Sequence, residues 1–235
     1  MVILVMNFDY KTLEKFDKIY VLVSGGFDST YLYDKIKKLY PLTCIPVNCY
    51  NPYEKGETLD IISNDPKFIE VRPYYKLNYG DVLKEAFMKL PEARKKKKMG
   101  VYDKKIFPCC YWIKHKDFKK DPRFKEPNTV VISGIKAGDG MQRGLWLAKL
   151  RKEKRWYHRH KEGQLYCYPF RDFTKRDFPD IVNRRLLKKY PNLAHSGCYL
   201  CPILILYNLR KGNEKRYDAS IKYAKKLGVL DYKAF

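Results

Sequence analysis

Ser24-Gly25-Gly26-Phe27-Asp28-Ser29 joins an apolar, β-branched run ending at Val23 to a segment with helical spacing. Glycines there permit positive φ and close backbone approach. Successive N–H groups form an anion nest, and the start of a helix adds the positive end of its dipole. The chemistry this suits is phosphate binding. No Lys stands where a Walker A loop has its GK[ST], and the spacing is not G-x-G-x-x-G, so those two nucleotide loops are disfavoured. An ordinary glycine turn with Asp28 as helix cap is the plainer reading. It is the weaker one, because five specified positions fall in a strand-to-helix context.

Cysteine supplies the second group. Cys109-Cys110 is followed far downstream by Cys198-x-x-Cys201, with Gly197 and Pro202 shaping the later pair into a turn. Two close pairs of thiols suit a tetrahedral metal or an iron-sulfur cluster, since C-x-x-C sets both sulfurs on one side of a turn. Structural zinc is the alternative, although adjacent cysteines lack the spacer that lets two thiolates converge on zinc. Buried thiols are a third reading, and core packing accounts best for Cys44, Cys49 and Cys167, which flank or lie in strand-like runs. His195 reads as a surface loop histidine ahead of a contact to cluster sulfur or phosphate.

Basic residues supply the third. Arg94-Lys95-Lys96-Lys97-Lys98 is expected in a loop. From Arg143 to Lys161 the cations at 143, 149, 151, 152, 154, 155, 159 and 161 face a single acid, Glu153, with Trp146, Trp156 and Tyr157 interleaved. Cations neutralise phosphates and aromatic faces stack unpaired bases, so a nucleic acid fits this pattern. An amphipathic helix with Leu145, Trp146 and Leu150 facing the core fits it equally, and both can hold at once.

The elements that must position these groups follow from periodicity. Strands are expected over Lys18 to Val23, Thr43 to Asn48, Phe68 to Val71, Thr129 to Ser133 and Leu165 to Tyr168. Helices are expected over Asp28 to Leu39, Asp81 to Leu90, near Tyr111 to Phe118, and over Thr174 to Tyr190, with two more towards the C-terminus. Such alternation predicts an α/β protein with a mostly parallel sheet, helices on both faces and a helical C-terminal extension. Ligands then bind beyond the carboxyl ends of the strands, after Val23 and after Ser133. Lys136 and Arg143, just past a strand end, are anion-binding candidates ahead of being two more solvated cations. One domain spanning 1–235 is expected, with a nucleotide-binding core over 1–134 and a remainder, 135–235, that completes the site.

The loop Ser24–Ser29 resembles the PP-loop of the adenine-nucleotide α-hydrolase superfamily, whose S-G-G-x-D-S binds the pyrophosphate of ATP. Gly134-Ile135-Lys136-Ala137-Gly138-Asp139-Gly140-Met141-Gln142-Arg143 resembles the G-I-R-x-x-E-S-x-x-R signature of the phosphoadenylyl-sulfate (PAPS) reductase family. Lys136, Asp139 and Gly140 stand where that family has Arg, Glu and Ser. Tyr168 to Phe178 resembles its P-hydrophobic-x-x-W-T-x-x-D-V segment, and the C-C and C-x-x-C pairs are similar to its 4Fe-4S motif. The likeness covers roughly Ile19 to Pro202. It implies a Rossmann-like, HUP-type fold and ATP cleaved between the α and β phosphates with Mg2+. It implies that Ser24, Gly25, Gly26, Asp28, Ser29 and Gly134 bind the nucleotide, that Asp28, Lys136 and Arg143 act on it, and that Cys109, Cys110, Cys198 and Cys201 hold the cluster.

Composition bounds these readings. With 235 residues, 45% hydrophobic and 15% aromatic, the chain can bury a core, which excludes collagen-like and disordered classes. No run is long and apolar enough for a membrane span, and Met1 to Phe8 does not read as a signal peptide, so a cytoplasmic protein without a membrane partner is expected. Seven cysteines, an odd number, argue against a disulfide framework. Lys and Arg number 49 against 26 acids, a net charge of +23 that attracts phosphate-bearing partners. Three classes remain. The first is an adenylating sulfurtransferase that uses a sulfur donor to thiolate a nucleic acid, tRNA or DNA. The second is a sulfonucleotide reductase acting on an adenylyl nucleotide, and the third a non-enzymatic nucleic-acid-binding iron-sulfur module. The intact phosphate loop and the lack of a cysteine after Cys201 favour the first.

Overall fold

The β-branched run Lys18–Leu22 forms the strand β1, and its middle three residues are buried, as a strand covered on both faces requires. The computed structural model containing it describes residues 8–52, 57–72, 78–100, 109, 116–136, 141–173, 186–190, 199–211 and 213–230. Parallel neighbours flank β1: β2 (Cys44–Cys49) on one side and β4 (Thr129–Ile132) on the other. With β3 (Ile69–Val71), β5 (Tyr157–Arg159) and β6 (Leu165–Cys167) they make a six-stranded sheet of order β3-β2-β1-β4-β6-β5. β6 runs parallel to β4, and β5 closes the edge antiparallel to β6. The protein is thus α/β with a mostly parallel sheet.

Helices α1 (Phe27–Leu39), α2 (Glu57–Ser63), α3 (Tyr79–Met88), α4 (Leu90–Lys98), α5 (Lys116–Lys120), α6 (Met141–Lys152), α7 (Pro202–Leu206) and α8 (Glu214–Lys226) connect or follow the strands. Leu32 and Ile36, four residues apart on α1, are fully buried with Ile19, Val21, Val130, Ile132 and Phe170. Each such side chain contributes about 1.5–3 kcal/mol by leaving water.

The chain separates into two compact units. One, Met1–Asn48, Gly56–Val71 and Lys119–Ser196, contains the sheet. The other, Cys49–Lys55, Arg72–Phe118 and Gly197–Phe235, packs α3, α4, α7 and α8 around Leu83, Phe87, Leu90, Ala93, Ile205, Leu206 and Ala224.

Several elements depart from expectation. Arg94–Lys98 lies in α4, not a loop. Pro at the first turn, a Glu92–Lys96 ion pair at 2.7 Å and four lysines in the last turn all favour a helix. The strand β5 went unseen because its Tyr-His-Arg sits in a basic run without β-branched residues. On α6, among the described side chains, Leu150 is buried and Trp146 packs on the core as expected, with Leu147 beside them, whereas Leu145 is 67% exposed. Of the stretch 111–118 only 116–118 is described, within α5, and of 174–190 only 186–190, where 186–189 is helical. Among the described residues no helix is long and apolar enough to cross a membrane.

Burial sets an alkaline limit on this core. It pushes the Cys44 thiol up to about 12 and the Tyr157 phenol up to about 12, and it raises Tyr10, Tyr33, Tyr168 and Cys167 as well. The fold therefore favours the neutral forms. Its stability is undiminished below the ordinary thiol and phenol values, about 8.5 and 10, and declines as pH rises from there towards the folded values. Urea midpoints measured from pH 7 to 11 should hold level at first and then fall continuously above about pH 9.

Candidate functional site

The chain leaves the sheet one residue after β1. The Val23 N–H donates to the Val47 carbonyl at 2.8 Å, and the buried Asn48 side-chain amide donates to the Val23 carbonyl at 2.7 Å. Beyond this anchor the two serines of the loop close on each other. The Ser24 N–H donates to Ser29 Oγ at 3.1 Å, the two hydroxyls lie 3.1 Å apart, and Ser29 Oγ donates to the Gly26 carbonyl at 3.0 Å. Gly25 has φ +70°, a conformation that selects glycine, and a Cβ there would lie in ordinary contact with the Leu59 Cβ of α2 at 3.4 Å. Gly26 occupies the N-cap of α1 in extended conformation and brings no side chain to cap it. A thirteen-residue helix thus begins at the loop with its first turn directed by glycine backbone.

A second loop meets the first. After β4 the Ser133 N–H donates to the Cys167 carbonyl at 3.0 Å, and Gly134 then passes so close to α1 that a Cβ would lie 3.4 Å from the Asp28 carbonyl carbon and the Ser29 nitrogen. Ile135 packs on the cluster of Leu147, Leu150 and Tyr168. Lys136, its side chain only 6% exposed, pairs its Nζ with Asp28 Oδ2, whose side chain is 29% exposed. It is no solvated cation. Removing one partner of a buried pair typically costs about 3–5 kcal/mol, less here because Asp28 reaches water.

Topology explains why these loops coincide. The crossover from β1 leads to β2 on one side while β4 lies on the other, so the strand order reverses between β1 and β4. The carboxyl ends of strands at such a reversal leave a crevice where α/β proteins bind ligands. Ser24, Gly25, Gly26, Asp28, Ser29, Gly134 and Lys136 are brought together there. Arg143 lies exposed in the first turn of α6, and residues 137–140 that lead to it lie outside the described residues.

Sequence reasoning missed Asn48, which fixes the base of the loop. A polar residue ending an apolar strand was the available signal. It also missed Leu59, whose backbone and side chain floor Gly25, and two buried hydroxyls on helices of the loop, Thr30 and Thr58, which have no hydrogen-bond partner among the described residues.

Two of the four candidate cluster ligands can be placed, both in the helical unit. Cys109 is buried with Leu83, Phe87, Leu90 and Ile205. Cys201 caps α7, its N–H donating to the Oγ of fully buried Ser220 at 2.9 Å, and Ser220 in turn donates to the Arg216 carbonyl at 2.7 Å. Cys109 thus lies within the apolar cluster to which α7 contributes Ile205 and Leu206, while the half-buried Cys201 begins that helix. Thiol sulfur is the soft donor an iron-sulfur group takes, and the surroundings of Cys109 are of the apolar kind that control such a group's potential and access. Cys110, Cys198 and His195 lie outside the described residues, and no set of three metal-ligating side chains occurs among the described ones. Cys44 and Cys167 are fully buried core thiols, and burial raises the Cys167 thiol far above its ordinary value.

In the basic segment the cations Lys149, Arg151, Lys152 and Arg155 are exposed, but the aromatics turn inward. Trp146 meets Tyr168 edge-on at 4.7 Å, the Arg171 guanidinium covers the Trp156 ring at 3.6 Å, and Tyr157 packs near Phe8 and Phe16.

No protein-family model matches this chain, and a comparison with curated proteins returns no match.

The approach of Gly134 to α1 is testable. Gly134→Val should lower unfolding stability by about 1–3 kcal/mol in urea titrations, because its γ-carbons meet backbone that cannot yield. Gly134→Ala should retain most of that stability, because a lone Cβ there makes only ordinary contacts.

Proposed function

We propose that this protein is an ATP-dependent adenylating sulfurtransferase of the PP-loop type, related to the PAPS reductase family, that thiolates a nucleic acid in the cytoplasm. The observation that carries the reading is the meeting of Ser24–Ser29 with Gly134–Lys136 at the sheet's reversal point. A glycine-built helix start and a buried lysine there converge on one place for an anion. The reading includes a Rossmann-like, HUP-type fold with helices on both faces of the sheet, and a single functional domain in which 135–235 complete the site begun by 1–134.

In this reading the backbone N–H groups of Gly25 and Gly26 and the start of α1 hold the β and γ phosphates of magnesium ATP. Charge builds on the bridging oxygen as the acceptor oxygen attacks the α phosphorus and the bond to the β phosphate breaks. The loop, Lys136 and Arg143 stabilise that charge, and pyrophosphate leaves. Lys136 is held by Asp28 until the nucleotide arrives, so the ammonium is oriented beforehand and its charge is redirected to phosphate. Sulfide-level sulfur from the donor then attacks the acceptor atom that bears the adenylated oxygen, the bond from that atom to the oxygen breaks, and AMP leaves with the oxygen. Cys109, Cys110, Cys198 and Cys201 would hold a 4Fe-4S cluster, with zinc as the alternative, which supplies sulfide-binding and electron-transfer chemistry. The burial of Cys167 supports this class over a sulfonucleotide reductase, which needs a reactive thiolate.

Incubation with ATP, acceptor RNA or DNA and a sulfide donor should release AMP and pyrophosphate in equal amounts, resolved by chromatography. Asp28→Ala and Gly26→Val should each lower the rate by about 100-fold or more. Normal turnover in both variants would remove the phosphate-loop assignment, and sulfite release from an adenylyl sulfate that Cys167→Ser abolishes would favour the reductase.

Protein purified without oxygen should be brown, with a broad visible absorption and bound iron and sulfide, all lost in Cys201→Ala. Colourless protein with one zinc per chain would make the centre structural.

A further inference from the structure

The aromatic residues that the basic segment on α6 offers to a nucleic acid are engaged inside the sheet unit. The helical unit, by contrast, presents exposed aromatic and basic side chains together. Tyr207, Leu209, Arg210 and Lys211 follow α7 as an exposed segment, Tyr207 39% and Leu209 46% accessible.

That segment is held in one shape. Asn208 adopts φ +50°, a left-handed conformation that Asn tolerates better than most residues, and its Oδ1 accepts a hydrogen bond from the hydroxyl of the buried Tyr217 on α8 at 3.0 Å. The Asn208 and Leu209 N–H groups donate back to the carbonyls of Ile205 and Leu204 at 3.2 and 2.9 Å. With the backbone so fixed, an ordering cost that flexible loops meet on binding is already met.

The last turn of α4 adjoins this segment. Lys97 Nζ donates to the Leu206 carbonyl at 2.7 Å and lies 4.9 Å from the centroid of the Tyr207 ring. Leu90 and Ala93 turn into the core, so Lys95 and Lys98 are left on the exposed side of the same helix. Lys97 beside an accessible aromatic ring, with exposed lysines on the two adjoining segments and Arg210 paired with Asp218 at 3.5 Å, matches single-stranded nucleic acid, whose phosphates need charge and whose unpaired bases need a stacking face.

We propose that the last turn of α4 and the segment Tyr207–Lys211 dock an unpaired stretch of nucleic acid, with a base on Tyr207 and phosphates at Lys95, Lys98, Arg210 and Lys211. This deepens the proposed function by naming the surface that holds its acceptor. Binding is measured without ATP, so its failure is distinct from a failure of the adenylation reading.

The test is fluorescence anisotropy with labelled oligo(U) and oligo(dT), each titrated over a range of salt from about 50 to 200 mM. Tyr207→Ala should weaken binding by roughly 5- to 100-fold with little change in salt dependence, and Tyr207→Phe should restore it, because stacking needs the ring and not the hydroxyl. Lys95→Ser, Lys98→Ser and Lys211→Ser combined should flatten the slope of log affinity against log salt by about 2, roughly 0.7 for each lost phosphate contact. Circular dichroism of each variant should match the parent, since the altered side chains are exposed. Preference for oligo(U) would indicate an RNA acceptor and for oligo(dT) a DNA acceptor, and either supports the surface. The proposal is overturned if Lys149→Ser, Arg151→Ser and Lys152→Ser on α6 remove binding while the Tyr207 and α4 variants retain it. It is equally overturned if duplex of the same length or phosphatidylserine vesicles bind more tightly than single strands, or if the parent protein binds neither oligonucleotide at low salt.

Discussion

The parallel pairing of β1 with β4, Tyr20 opposite Val131 and Val21 opposite Ile132, is the constraint on which the sheet unit depends. It sets two strand ends side by side although more than a hundred residues separate them in the chain. Everything at the candidate anion site follows from that adjacency. The loop after β1 turns into α1, and the loop after β4 runs across the first turn of that helix, where a Cβ on Gly134 would already be in contact with its backbone at 3.4 Å. A slip in the register would carry Gly134 away from Asp28, and because all four residues of β4 are buried, every side chain would have to be refitted against the packing on both faces.

Once the two loops are joined, charge becomes the next problem. A lysine that is almost wholly buried needs a counter-ion, and Asp28 is the carboxylate within reach. The same pressure appears at Arg171, whose guanidinium is 7% exposed. It lies over Trp156, donates to the Arg155 carbonyl and flanks Asp172. In both cases a strongly basic chain uses a buried cation to tie together segments distant in sequence. Most other cations remain at the surface, where exposed pairs such as Lys89 with Glu85 add little, about 1 kcal/mol at most.

Much of the sheet unit could be read from the residues alone. The strands β1, β2 and β4 and the helix α1 were found within one or two residues, because β-branched runs and a helical repeat bounded by glycine are strong local signals. The place of Ser24–Ser29 between a strand and a helix was legible for the same reason. What could not be read was tertiary. Gly134 looks like any loop glycine until α1 lies against it, and Asn48 looks like the frayed end of a strand until Val23 needs a donor. Lys136 resembles a surface cation until burial removes its water. The exposure of Leu145 on α6 and the helicity of Arg94–Lys98 escape a reading of the sequence because polar residues outnumber apolar ones there and periodicity is faint. There packing and the Glu92–Lys96 pair decide instead.

The outermost strands, β3 and β5, are three residues long, and each carries a charged residue, Glu70 in one and Arg159 in the other. A sheet edge normally offers a row of unpaired amide groups to which a second chain can add itself. Edges this brief give an incoming strand almost no ladder to extend, and each arriving chain must also accept a charge at the seam. A protein with abundant tyrosine and phenylalanine has reason to guard against growth of that kind. Among the described residues the sheet ends on these two short strands, which leaves an arriving chain little backbone to pair with.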